Sequence, residues 1–71
     1  MDATLTTQHL GSALRKARQK KGIGGRELAR AIGIDHANLW RIEDGRETSL
    51  GTYNDIAKAL GLVIIIRFKK A

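Results

Sequence analysis

The chain has 71 residues, 13 of them Lys or Arg against 7 Asp or Glu, for a net charge of +6, and it has no cysteine. That length allows one domain around one small core, which association with another copy would help to stabilise. The lack of cysteine excludes a disulfide framework or a thiolate metal site, while the basic balance suits a polyanionic partner, nucleic acid first.

Residues 1–8 are polar, with neither the basic start nor the apolar centre of a secretory leader. Residues 1–7 are therefore expected to form a flexible leader of a cytoplasmic protein. Thr6 or Thr7 is placed to cap a first helix by accepting a backbone N–H bond. Leu10, Ala13, Leu14 and Ala17 then recur at helical spacing. Gly22 ends that element, with Lys20 and Lys21 in its last turn, where the helix dipole favours cations. A second, short helix is expected from about Gly25 to Ile32, with Leu28, Ala29 and Ile32 inward. Gly33 tolerates the left-handed conformation that stops it, and Ile34 plugs the turn. Asp35 is a good N-cap for a third helix that buries Leu39 and Ile42 and closes at Gly45. Ser49 caps a fourth, which carries Leu50, Tyr53, Ile56, Ala57 and Leu60 inward and stops at Gly61.

The last segment changes character. Leu62-Val63-Ile64-Ile65-Ile66-Arg67-Phe68 is rich in β-branched residues and reads as a strand. Its apolar run is far too short to span a bilayer. Leu62, Ile64, Ile66 and Phe68 share one face of it, and Val63, Ile65 and Arg67 the other. A lone strand has no hydrogen-bond partner, and no second strand is read elsewhere in the chain. The simplest partner is its own copy in a two-fold homodimer, joined through Leu62, Ile64, Ile66 and Phe68. A frayed apolar tail lying on helix one or four is the alternative. The expected organisation is a leader over 1–7, a helical domain over 8–61, and a dimerisation strand with a basic tail over 62–71.

The stretch from Arg26 to Gly45 carries the functional reading. Ala29 is small, so helices two and three can cross closely. Ile34, Leu39 and Ile42 bury the back of helix three and leave His36, Ala37, Asn38, Trp40 and Arg41 outward. A helix presented this way can enter the DNA major groove, with its first turns nearest the bases. Arg can bond guanine O6 and N7, Asn can bond adenine N6 and N7, and an Ala methyl can touch that of thymine. His36 and Asn38 read either as groups near the bases or as plain exposed polar residues. Trp40 has three readings: packing on the domain edge, touching the DNA backbone, or serving a protein partner.

This stretch, with Leu14-Arg15-Lys16-Ala17-Arg18 before it and Ala57-Lys58-Ala59-Leu60-Gly61 after it, resembles the Cro-like, lambdoid-repressor (XRE-type) helix-turn-helix family, over residues 10–61. The C-terminal strand is similar to that of HipB-like antitoxins, whose dimers share a small sheet. The resemblance implies an all-α domain of four to five helices with a C-terminal β-strand that pairs in a dimer. It implies that His36, Ala37 and Arg41 face base edges and that Asn38 touches a base or a phosphate. Gly25 would offer its backbone N–H to a phosphate at the start of helix two, Arg46 would clamp another, and Arg26 and Trp40 complete the DNA-facing set. Arg18 and Glu43 are expected to form a partly buried ion pair that locks helix one to helix three. Gly24-Gly25 departs from the family, where Ser or Thr followed by Gln is usual. A cap hydroxyl and a side chain that often bonds phosphate are thereby lost.

The expected function is sequence-specific repression by a dimer on a near-palindromic double-stranded DNA operator, its half-sites about 34 Å or a multiple of that apart. Short length and the lack of a ligand-sensing domain favour an antitoxin that binds a cognate toxin protein and represses the operon encoding both. The alternatives are a stand-alone transcriptional regulator, and a protein-interaction module with weak DNA binding. Catalysis, a metal and a cofactor are not expected. The carboxylates fall on helix surfaces and turns, His9 lies away from His36, and Gly22-Ile23-Gly24-Gly25 follows a helix and lacks the lysine of a phosphate-binding loop.

Overall fold

The computed structural model describes residues 7–70, and four helices make up the regular structure among them. These are α1 (Thr7–Lys20), α2 (Gly25–Ile32), α3 (His36–Glu43) and α4 (Leu50–Ala59). The turn between α2 and α3 depends on Gly33, whose φ of 75° is the left-handed conformation. Its N–H reaches the carbonyls of Ala29 and Arg30, and the N–H of Ile34 bonds the carbonyl of Ala29 at 3.0 Å. The carbonyls of Ala29 and Arg30 near the end of α2 are thus satisfied within the turn, and the chain is redirected at once into α3. Asp35 holds the N-cap position of α3 with an extended backbone, but its side chain makes no capping bond. Ser49 does cap α4: its Oγ accepts the N–H of Thr52 at 3.0 Å.

α1 packs on α3, and α2 packs on both α3 and α4. Leu14, Leu28, Ala29, Leu39, Ile42, Tyr53, Ile56, Ala57 and Leu60 form the core, with Leu10, Ala17, Ile23, Ile32, Ile34 and Ile64 packed at its fringe. Two residues expected inside are exposed, Ala13 and Leu50. The buried stripe of α1 runs through Gly11, Leu14 and Arg18, and a turn of about 100° per residue swings Ala13 away from it. Leu50 opens α4 and stays 57 % exposed at the domain edge.

Gly11 has a job that its place inside a helix hides. A Cβ there would collide with the carbonyl oxygen of Ile42 and lie 3.0 Å from that of Glu43. The backbones of α1 and α3 meet at this point, so neither obstacle is a side chain that can rotate away. Gly11→Ala is expected to lower stability by about 1–3 kcal/mol through overpacking, measured as a fall in the thermal unfolding midpoint. A midpoint at or above that of the parent chain would show that the helices separate freely.

Thr7 is the first helical residue, one position before the expected domain boundary. Its hydroxyl donates to the carbonyl of Gly45 at 2.8 Å, tying the start of α1 to the turn after α3. Thr6 and the rest of the expected leader lie outside the described residues, as does Ala71 of the basic tail.

The strand expected over residues 62–68 is not formed within the single chain, where residues 62–70 carry no regular structure. The physical reason is that strand N–H and C=O groups need a partner ladder, and the other described segments fold as helices and turns. The alternation of faces persists from Leu62 to Ile66 and is lost at Phe68. Ile64 packs at the fringe of its own core, and with Ile66 it lines a shallow apolar groove against Leu50, Gly51 and Asn54 of α4. Val63 and Ile65 are 81 % and 72 % exposed, and Phe68 is 98 % exposed. Among the described residues no helix is long and apolar enough to cross a membrane.

Candidate nucleic-acid interface

α3 turns Leu39, Ile42 and Glu43 inward. At about 100° per residue, Ala37 and Arg41 then stand opposite that buried stripe. His36 and Trp40 lie on one flank of the outward face and Asn38 on the other. Arg41 and Trp40 are exposed, while His36, Ala37 and Asn38 are half-buried. One short helix therefore presents five of the expected residues on a connected outer surface.

The pose of that surface is set from behind. Arg18 and Glu43 are both buried. Arg18 Nε donates to Glu43 Oε2 at 2.8 Å and Nη2 donates to Oε1 at 3.0 Å, a two-pronged contact that restricts both rotation and separation. The Arg18 Nη1 donates to the carbonyl of Ile23 at 2.9 Å, so the same guanidinium also holds the loop leading into α2. This is the ion pair that the family resemblance implies, and it joins α1 to the last residue of α3.

A second arginine, unforeseen from the sequence, reinforces the lock. Arg15 Nε donates to Glu43 Oε1 at 3.3 Å, and Arg15 Nη2 donates to Asp44 Oδ1 at 2.8 Å. Asp44 is thus engaged although its side chain stays exposed. Its hydrogen bond, followed by that to Glu43, raises the Arg15 guanidinium above its already high usual pKa, so Arg15 stays charged wherever the domain is folded. The available signal was the spacing: Arg15 precedes Arg18 by three residues, which puts both on one side of α1.

α2 starts without a side-chain cap, as Gly24 at its N-cap position requires. Above its first residue sit two rings. A Cβ at Gly25 would lie 3.6 Å from both His36 Cδ2 and Trp40 Nε1. The two rings contact each other, with centroids 4.6 Å apart and planes tilted by 56°. The structure thus gathers Gly25, His36 and Trp40 into one cluster. Arg26 and His36 also line a hollow with Ala29, Arg30, Ile34 and Asp35 at the α2–α3 elbow. Arg46 is exposed just past α3. Its N–H bonds the carbonyl of Arg41 at 2.9 Å, and its own carbonyl lies 3.5 Å from the Tyr53 hydroxyl. The backbone that carries this side chain is therefore held to α3 and α4. Leu62, Ile64, Ile66 and Phe68 lie apart from this surface, on the tail beyond α4.

Comparison with known proteins agrees with this geometry. Residues 9–63 match the model of a family described as a helix-turn-helix domain. An uncharacterised HTH-type transcriptional regulator of Sinorhizobium fredii is 37% identical over 65 residues, which is 90% of this chain but 33% of that protein. The chain thus spans about a third of that relative's length. The crystal structure of the clp gene regulator ClgR from C. glutamicum superposes with a TM-score of 0.81 at 34% identity, covering 89% of this chain and 82% of that one. HipB in the HipA-HipB-O2-O3 complex superposes with a TM-score of 0.80 at 28% identity, over 99% of this chain and 100% of that one. HipB in a HipB-O4 20mer complex gives a TM-score of 0.81 over the same shares, also at 28% identity.

Proposed function

Because this chain belongs to the helix-turn-helix domain family, we propose that it is a sequence-specific DNA-binding repressor that acts as a homodimer in the cytoplasm. The observation that carries the reading is the outer face of α3. It presents Arg41, His36 and Asn38 around Ala37 and Trp40, and it is held in one pose by the buried Arg18–Glu43 contact. In this reading Arg41 and Ala37 enter the major groove, His36 and Asn38 reach base edges to either side, and Gly25, Arg26 and Arg46 meet phosphates. Base contacts supply choice of sequence, and phosphate contacts supply affinity and register. A dimer bound across a promoter excludes polymerase, so repression is the output, on a near-palindromic operator.

Within that function the likeness to HipB over 99% of this chain favours an antitoxin. The chain would then bind a toxin protein and repress the operon encoding both. ClgR, named as a clp gene regulator and 34% identical, favours the second reading, a regulator without a toxin. Expressing the neighbouring gene separates them. Growth arrest that this chain relieves supports the antitoxin, and a neutral neighbour supports the stand-alone regulator.

The DNA reading is tested by selection from a pool of random duplexes at physiological salt. A near-palindromic motif is the expected result. Binding without a motif, lost steeply as salt rises, would leave only phosphate contacts and overturn base reading. On the selected duplex, Arg41→Ala is expected to cost about 1–3 kcal/mol and to relax choice at one base position per half-site. Unchanged specific affinity would remove α3 from the groove.

A further inference from the structure

The core side of α3 is already filled: Leu39 and Ile42 are 0 % and 1 % exposed. The lone tryptophan of the chain is nevertheless on this helix, 55 % exposed. It follows His36 by four residues, which places both side chains on one face, and the two rings touch in a tilted arrangement at 4.6 Å. That arrangement is a favourable one for aromatic pairs. Beneath them lies Gly25, where an added Cβ would stand 3.6 Å from both rings, in ordinary van der Waals contact.

We propose that Trp40 is a positioning residue for His36, and that the ring pair seated over Gly25, rather than either residue alone, sets base preference at one position of each half-site. This rests on the DNA reading above. An imidazole reads a base edge only if its nitrogens point in one direction. A ring free to turn about two bonds must be ordered at the moment of binding, which weakens the contact. The indole removes that freedom beforehand, and the glycine at position 25 leaves the α2 side of both rings free of any side chain. The departure from the family at position 25 then acquires a physical meaning. A side chain there begins in van der Waals contact with both rings, and its outer atoms compete with them for the same surface. The glycine and the ring pair belong to one arrangement, in which α3 supplies what α2 lacks.

The test compares the selected motifs of the full chain and of Trp40→Ala, Trp40→Phe, His36→Ala and the Trp40→Ala/His36→Ala double variant. Circular dichroism of each checks that the helices persist, which the exposure of Trp40 favours. The expected result is that Trp40→Ala and His36→Ala lose the same preference at the same base pair, by about tenfold, within the range of a base contact. The double variant loses no more than either single one, because the two residues act as a unit. Trp40→Phe, which keeps a ring beside the imidazole, retains most of the preference. Losses that add, or that fall on different base pairs, overturn the proposal. So does a Trp40→Ala chain that weakens equally on all sequences, since the indole would then be touching the DNA backbone itself. A Trp40→Ala chain with an unaltered motif overturns it too and frees the indole for a protein partner. If the parent chain selects no motif, base reading and the ring pair's role in it fall together. If it selects one and the losses add, only the pair falls.

Discussion

Glu43→Ala is expected to be the most damaging single substitution in the domain. The carboxylate is 3 % exposed and Arg18 is 9 % exposed, so removing Glu43 strands a buried guanidinium whose remaining partner is the carbonyl of Ile23. Breaking a buried pair from one side costs about 3–5 kcal/mol. A domain of this size has about 4–11 kcal/mol in total, so the variant should melt well over about 10 °C lower or fail to fold cooperatively. Removing both charges and filling the space, as in Arg18→Met/Glu43→Leu, should recover much of the loss, because two desolvated charges gain little over well-packed apolar groups. Arg15→Ala is the control. Its side chain is 37% exposed, its shorter contact is to Asp44, 70% exposed, and its contact to Glu43 is the longer one at 3.3 Å, so it is largely screened by water and worth about 1 kcal/mol, while Arg18 still partners Glu43. Thermal unfolding followed by circular dichroism ranks the three variants. If Glu43→Ala melted with Arg15→Ala, the ion pair would not be what holds α1 to α3.

This order of effects also shows what a reader of the sequence can and cannot see. Helical periodicity and turn glycines placed α2 to the residue, because each boundary has its own local chemistry: Gly24 at the N-cap before it and a left-handed Gly33 after it. The same periodicity put Ala13 and Leu50 inside, since a stripe three or four residues apart does not say which edge of it the neighbouring helix covers. Gly11 went unremarked because a glycine within a helix reads locally only as a loss of stability, and its value lies in a carbonyl on α3 some thirty positions away. Arg18 and Glu43, 25 residues apart, came only through family resemblance, whereas the Arg15–Asp44 contact came from neither source. The outward face of α3 was legible because burial of Leu39 and Ile42 dictates what remains outside. The contact between His36 and Trp40 was not, since it depends on rotamers and on the bare backbone of a different helix.

The tail marks the other limit, because the partner proposed for its strand lies in another molecule, and its test should have the largest functional effect. Ile65→Pro and Ile66→Pro are expected to differ from each other. Along a paired strand, alternate residues send their N–H groups toward the partner, so one of these two prolines removes a bond from the seam and the other faces away. The first should sediment as a monomer with its helices intact, and its affinity for the full palindrome should fall by at least about a hundredfold. Two half-sites held at once by linked domains would then be bound one at a time, while affinity for an isolated half-site stays the same. Ile64 is a poor choice for this purpose, because it packs on the protomer's own core and a substitution there would confuse dissociation with unfolding. Ile65, 72 % exposed, carries no such burden. If both proline variants remained dimers, the strands would not be the seam. The join would then be sought where Leu50 and Ile66 leave an apolar groove open beside α4, and the half-site spacing of the operator would have to be drawn from that geometry instead.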